Sequence, residues 1–176
     1  ANAVDFGNLT TGEQHAGGMS SKVRGVFSGI NPGTTSIEFI TIAHAGNATD
    51  FGDCTSCGQG SGNANNHGGL QEFNPRAPEL YSPTVIAGYE LSPALNEINY
   101  VEFSTKGNSA DFGNLTRSEF GLTPASNSTR GLFQGGCTPS RSNTVDYVTI
   151  ASVGNATDFG DLTEAVCAGG GAASST

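Results

Sequence analysis

The residues of this chain best suited to chemistry are its carboxylates and thiols. Asp50 and Asp53, and Asp158 and Asp161, share a D-x-x-D spacing, and Asn8 and Asn114 replace the second Asp in two related segments. Oxygen-only donors of this kind suit Ca²⁺. Yet the chain has no EF-hand loop and no Gly-Asp nonapeptide. Solvated, turn-stabilising carboxylates without a metal are therefore expected. Cys54 and Cys57 form a lone C-x-x-C, and zinc would need a second ligand pair at matching spacing. His15, His44 and His67 are scattered instead. A thioredoxin-like reading needs a βαβ context that the sequence lacks. Cys54, Cys57, Cys137 and Cys167 are instead expected to form one or two disulfides of an exported protein. Cys137–Cys167 is a candidate pair, and the connectivity stays open. Asp-Phe-Gly also marks the magnesium site of protein kinases, but here it occurs four times without the other kinase elements. No unrepeated acid pair, nucleophile elbow or triad context stands out. No catalytic residue, metal site or cofactor is expected, and the chain reads as a non-enzyme.

What positions these residues is a repeat. Asp-Phe-Gly-Asp/Asn-X-Thr occurs at Asp5–Thr10, Asp50–Thr55, Asp111–Thr116 and Asp158–Thr163. A motif at a fixed period marks one supersecondary unit used repeatedly. Three copies follow Gly46–Thr49, Gly107–Ala110 and Gly154–Thr157. Before each lies an alternating run (36–42, 97–103 and 144–150) that reads as a strand with one buried face. A second short strand precedes it at Val23–Phe27 and Thr129–Phe133, joined by a Gly/Pro/Ser/Thr turn into a hairpin. In the middle repeat Asn66–Leu70 is read as the equivalent strand, with His67 aligned to Arg24 and Arg130. The proline-rich stretch 72–93 is then an insert on one face. Within the motif, Phe is expected to anchor the core and Gly to allow a bulge or a close backbone approach. The Asp and Thr are expected to hydrogen-bond local backbone.

Composition supports an all-β chain. The 176 residues include 26 glycines, one methionine, no tryptophan and only seven Lys plus Arg. Long straight-chain helix formers are scarce, which favours short strands and tight turns. The formal net charge of −9 excludes a basic nucleic-acid footprint and disfavours an anionic membrane surface. No run is long enough for a transmembrane helix, so no membrane insertion is expected. No signal peptide is visible, and Ala1 fits a mature N terminus left by cleavage. The expected organisation is a first repeat with an extra N-terminal strand over 1–57 and a middle repeat with the insert over 58–116. A third repeat spans 117–167, and a flexible Gly/Ala/Ser tail spans 168–176.

The series Arg-Gly-Leu/Val-Phe-x-Gly, Thr-Val-Asp-Tyr-Val-Thr-Ile and Gly-Asn-Ala-Thr-Asp-Phe-Gly-Asp-Leu-Thr resembles the DFGDLT-type repeats of environmental and phage-associated proteins. Those repeats look like distant relatives of kelch blades, and Gly135-Gly136, Tyr147 and Phe159 follow the kelch order. The resemblance implies about three antiparallel β repeats, as kelch-like blades or small β-sandwich units, and implies no catalytic residue. It departs from the kelch pattern in having no Trp and only about three units, where a closed propeller has about four to eight blades.

Four motif copies accompany three hairpins. The unmatched copy is the N-terminal one, so Val4, Asp5, Phe6 and Leu9 are candidate subunit contacts, expected to dock on a neighbouring chain. Tyr81 and Tyr89, in the insert, are candidate contacts with a subunit or a sugar. Sequons at Asn8, Asn47, Asn114, Asn127 and Asn155 are candidate glycan sites in a secreted eukaryotic protein. The expected function is a structural subunit of an extracellular filament or virion appendage that assembles with itself. The alternative is a carbohydrate- or receptor-binding module with surface glycans as partner.

Overall fold

The computed structural model describes residues 2–10, 17–21, 23–28, 35–55, 61–64, 83–87, 94–127, 129–169 and 171, with 61–64 and 83–84 described as backbone only. Among the described residues there are twelve strands and no helix. Unit 1 is a four-stranded sheet of β1 (Gly17–Ser20), β2 (Arg24–Ser28), β3 (Ser36–Thr41) and β4 (Thr49–Asp53). Unit 2 contains β5 (Ser61–Ala64), β6 (Pro83–Ala87), β7 (Glu97–Glu102) and β8 (Ala110–Asn114). Unit 3 contains β9 (Thr123–Ser126), β10 (Arg130–Gln134), β11 (Ser142–Thr149) and β12 (Thr157–Val166). Each sheet is an antiparallel meander in chain order, so the chain is all-β and built from repeated antiparallel units.

The sheets stack face to face. Alternation along β3, β7 and β11 gives each unit a front face toward the preceding unit and a back face toward the following one. Val26, Ile37, Phe51 and Cys54 on the back of unit 1 meet Ile86, Val101 and Phe103 on the front of unit 2. Val85, Ile98, Phe112 and Leu115 on the back of unit 2 meet Leu122, Phe133 and Val148 of unit 3. The middle sheet is thus covered on both sides. In β6, Val85, Ile86 and Ala87 are all fully buried, so this strand reads as a continuous apolar run rather than an alternating one. The first strands β1, β5 and β9 lie side by side.

Two features differ from the sequence expectation. Each unit has a fourth strand beyond the three that the sequence pattern predicts (β1, β5 and β9). In addition, Asn66–Leu70 lies outside the described residues, and its expected place is filled by Pro83–Ala87. Pro83 pairs with Glu102 where Arg24 pairs with Thr41 and Arg130 with Thr149. Part of the supposed insert is therefore a core strand. The additional chain lies between β5 and β6, over 65–82. In the other units only three residues separate the equivalent strands, 21–23 and 127–129, and side chains cap the connection. Ser21 Oγ accepts from the amides of Val23 and Arg24 at 3.2 and 3.0 Å, and Asn127 Oδ1 accepts from those of Thr129 and Arg130 at 2.9 and 2.8 Å.

Cys137 and Cys167 are disulfide-bonded. The bond ties the turn after β10 to the end of β12, beside hydrogen bonds from Gly136 N to Val166 O (3.0 Å) and from Ala168 N to Gly121 O (2.8 Å). Cys54 is disulfide-bonded as well, and Cys57 lies outside the described residues. Such bonds fit an oxidising, extracytoplasmic setting. Among the described residues no helix is long and apolar enough to cross a membrane.

Candidate assembly interface

The repeated motif forms a β-bulge before it forms anything else. Ile37 pairs with Gly52 and Glu38 with Asp50, so Phe51 is the additional residue on its strand. Phe112 is skipped in the same way opposite Ile98 and Asn99, and Phe159 opposite Val145 and Asp146. The bulge turns each Phe edge-on to an aromatic ring of the neighbouring strand. Phe39–Phe51, Tyr100–Phe112 and Tyr147–Phe159 have centroids 5.9, 6.1 and 6.0 Å apart. The Asp can brace the turn, as when Asp158 Oδ1 accepts from Gly160 N at 2.8 Å and Asp5 Oδ1 from Gly7 N at 3.1 Å.

The bulge also frees the outer edge of the motif to join the next unit. Gly107 N donates to Phe51 O (2.9 Å) and Ser109 N to Asp53 O (2.7 Å). Gly154 N and Ala156 N donate in the same way to Phe112 O and Asn114 O, at 2.7 and 2.8 Å. Asn108 and Asn155 return a side-chain acceptor to the amides of Asp53 and Asn114 at 3.1 and 3.0 Å. The motif glycine permits this approach. Gly52 and Gly113 have φ of +153° and +148°, and a Cβ on either would collide with the carbonyl of Gly107 or Gly154.

The last residue of the motif closes the joint. Thr116 donates to Asp146 from its amide (2.8 Å to Oδ2) and its hydroxyl (2.7 Å to Oδ1). The hydroxyl of Thr55 donates to Asn99 Oδ1 at 3.2 Å and to Glu97 Oε1 at 2.9 Å. Asp146 and Asn99 are buried, so each needs the donor it receives. These threonines do not fix a local turn, as expected from sequence; they clamp one unit to the next. Arg24 adds a bond across the first joint, from Nη1 to Phe103 O at 2.6 Å.

The N-terminal copy follows the same pattern within its own chain, which corrects the assignment of the unmatched copy. Gly46 N donates to Phe6 O (2.7 Å) and Ala48 N to Asn8 O (2.8 Å). Asn47 Oδ1 accepts from Asn8 N at 3.0 Å, and Thr10 donates to the fully buried Glu38 through its amide (3.0 Å) and its hydroxyl. Each copy joins the unit that follows it, and among the described residues no unit follows Asp158–Thr163. Among the described residues nothing plays for Asp158–Thr163 the part that Gly107–Ser109 plays for Asp50–Thr55. Phe159 is 58% exposed, against 3% for Phe51 and 4% for Phe112.

The remaining expected residues fall into place around this joint. Val4 is exposed, Phe6 is 39% exposed and Leu9 is half-buried. Asn8, Asn47, Asn114 and Asn155 are parts of joints and Asn127 caps a turn, which gives all five sequons a backbone role. Asp53 accepts from the Thr35 hydroxyl at 3.0 Å. Among the described residues no group of three or more His, Cys, Asp or Glu could hold a metal. Tyr81, Tyr89, His15 and His67 lie outside the described residues. A groove between units 1 and 2, lined by Phe51, Tyr100 and Lys106, encloses about 190 Å³, below the several hundred Å³ usual for ligand pockets. Neither protein-family models nor curated proteins give a match to the chain.

Proposed function

We propose that this chain is a structural, non-enzymatic subunit of an extracellular self-assembling filament or virion appendage, joined by strand pairing between subunits. The observation that carries the reading is the repeated joint, in which the motif edge of one unit pairs with the next unit and further units can be added in the same way. Phe159 stands 58% exposed on an edge strand whose two internal equivalents are covered. An exposed strand edge beside an apolar patch is a template for another chain. A head-to-tail contact of this type extends into a filament unless its rotation closes. The repeat resembles the DFGDLT-type, kelch-like units of phage-associated proteins, in keeping with an appendage, and the disulfides suit an extracellular site. Negative-stain microscopy of the purified protein is the test. Regular elongated assemblies are expected; isolated single-chain particles at every concentration would overturn the proposal.

A further inference from the structure

The segment Asp5–Thr10 holds its place on unit 1 without bringing a sheet of its own. The front face of unit 1 consequently stays open beside it. Ile42 is 43% exposed, whereas Phe103 and Ile150, at the same position of units 2 and 3, are 3% and 2% exposed. Ile40 is half-buried where Val101 and Val148 are each 3% exposed. The back face of unit 3 is the matching half, with Phe159 and Leu162 standing where Phe51 and Cys54, or Phe112 and Leu115, meet a following unit. The chain therefore carries both halves of a joint that it forms twice internally.

We propose that a second copy of this chain fills the open joint by strand exchange. Asp158–Thr163 of one copy displaces Asp5–Thr10 from unit 1 of the next, and the back of unit 3 seats on the front of that unit 1. This rests on the self-assembly reading above and names its partner and its site. The exchange conserves hydrogen bonds. Gly46 N and Ala48 N pass from Phe6 O and Asn8 O to Phe159 O and Asp161 O. Asn47 Oδ1 passes to the amide of Asp161, and Glu38 takes Thr163 in place of Thr10. Arg130 stands where Arg24 stands and gains Ile42 O as the counterpart of Phe103 O. With polar contacts exchanged like for like, burial of Phe159, Leu162, Ile40 and Ile42 decides the direction. A bare segment cannot supply that burial.

Sedimentation velocity on the full chain over a concentration series tests the exchange. Wild type is expected to form dimers or longer species. Phe159→Asp, at an exposed site, is expected to stay monomeric with an unchanged circular dichroism spectrum. Thr10→Val, which removes the hydroxyl donated to Glu38 only from the segment to be displaced, is expected to lower the concentration at which assemblies form. Assemblies indifferent to both substitutions would overturn the exchange and leave the self-assembly reading standing. A wild-type monomer at all concentrations would overturn both. A closed ring of two copies, giving six units and thus a number within the propeller range of about four to eight, would support the exchange and overturn the filament.

Discussion

Asp111–Thr116 and Asp158–Thr163 differ at one residue, Asn114 against Asp161, yet Phe112 is 4% exposed and Phe159 58%. Their local structure is the same. Both bulge at the Phe, and both set its ring edge-on to a tyrosine, at 74° and 82°. The motif thus dictates its own shape within one sheet, while its burial depends on the unit that follows. Conformation lives on the link from sequence to local structure, and stability on the link from packing to the neighbour.

Truncating the ring at the two sites should expose that division most strongly. Phe112→Ala removes a ring from the core between units 2 and 3, and a loss of about 3–5 kcal/mol is expected in urea unfolding. Phe159→Ala in the monomer removes chiefly one edge-to-face contact, and about 0.5–1.5 kcal/mol is expected. Equal losses would mean that Phe159 is covered in solution.

Glycine substitutions come next. Gly113→Ala adds a Cβ against the Gly154 carbonyl at φ +148°, and overpacking with backbone strain should cost about 2–4 kcal/mol. Gly160 has φ +134° but no heavy atom within 4 Å of such a Cβ. Gly160→Ala should retain only the strain, at about 1 kcal/mol. A Gly160→Ala protein that unfolds normally yet assembles less would show the backbone approach recurring between copies.

The clamp gives a smaller contrast. Thr116→Val leaves Asp146 without the hydroxyl it accepts from at 2.7 Å, and hydrogen bonds to charged groups are worth about 1.5–3 kcal/mol. Thr163 is exposed, so Thr163→Val should not shift the unfolding midpoint of the monomer. A shift as large as that of Thr116→Val would show the last clamp already engaged.

Much of this architecture was legible from residue order. Alternation reveals β3, β7 and β11, and the motif count reveals one more copy of the motif than of the hairpin. Gly as a site of bulging and of close approach was legible too, because few other residues tolerate that backbone. The strands β1, β5 and β9 read Gly-Gly-Met-Ser, Ser-Gly-Asn-Ala and Thr-Pro-Ala-Ser and offer no alternation to detect. Their pairing comes from a neighbouring strand, not from their own propensity. β6 is not legible as a strand with one wet face, because burial on both faces removes the alternation. The clamp is not legible because the threonine and its acceptor lie 30 residues apart, as with Thr116 and Asp146. Counting motifs finds a surplus copy but gives it no direction. The hydrogen bonds from each motif to the following unit supply that direction.

The smallest effect is one of pH, and it belongs to a filled joint alone. Glu119 is 3% exposed at the entry to unit 3. Burial pushes its pKa above 4.5 and the nearby Asp146 adds to the rise, while a hydrogen bond from Ser142 and the Arg117 charge, 3.2 Å away, oppose it. A raised folded pKa means that the folded protein holds the proton over a range in which the unfolded chain has lost it. Stability from this group is complete below pH 4.5 and declines as pH rises through the higher folded value. Glu119→Gln keeps the shape and removes the titration. The variant and wild type should therefore melt together in acid. The variant should gain an advantage across the pH range just above 4.5 and hold a constant lead beyond it. Thermal melts at a series of pH values would check this, and a lead that shrank as pH rose would contradict burial as the cause. No such pH-dependent gap should separate Phe159→Ala from wild type. If one did, the exposed face of unit 3 would be coupled to the Glu119 site, and the two regions would not be independent.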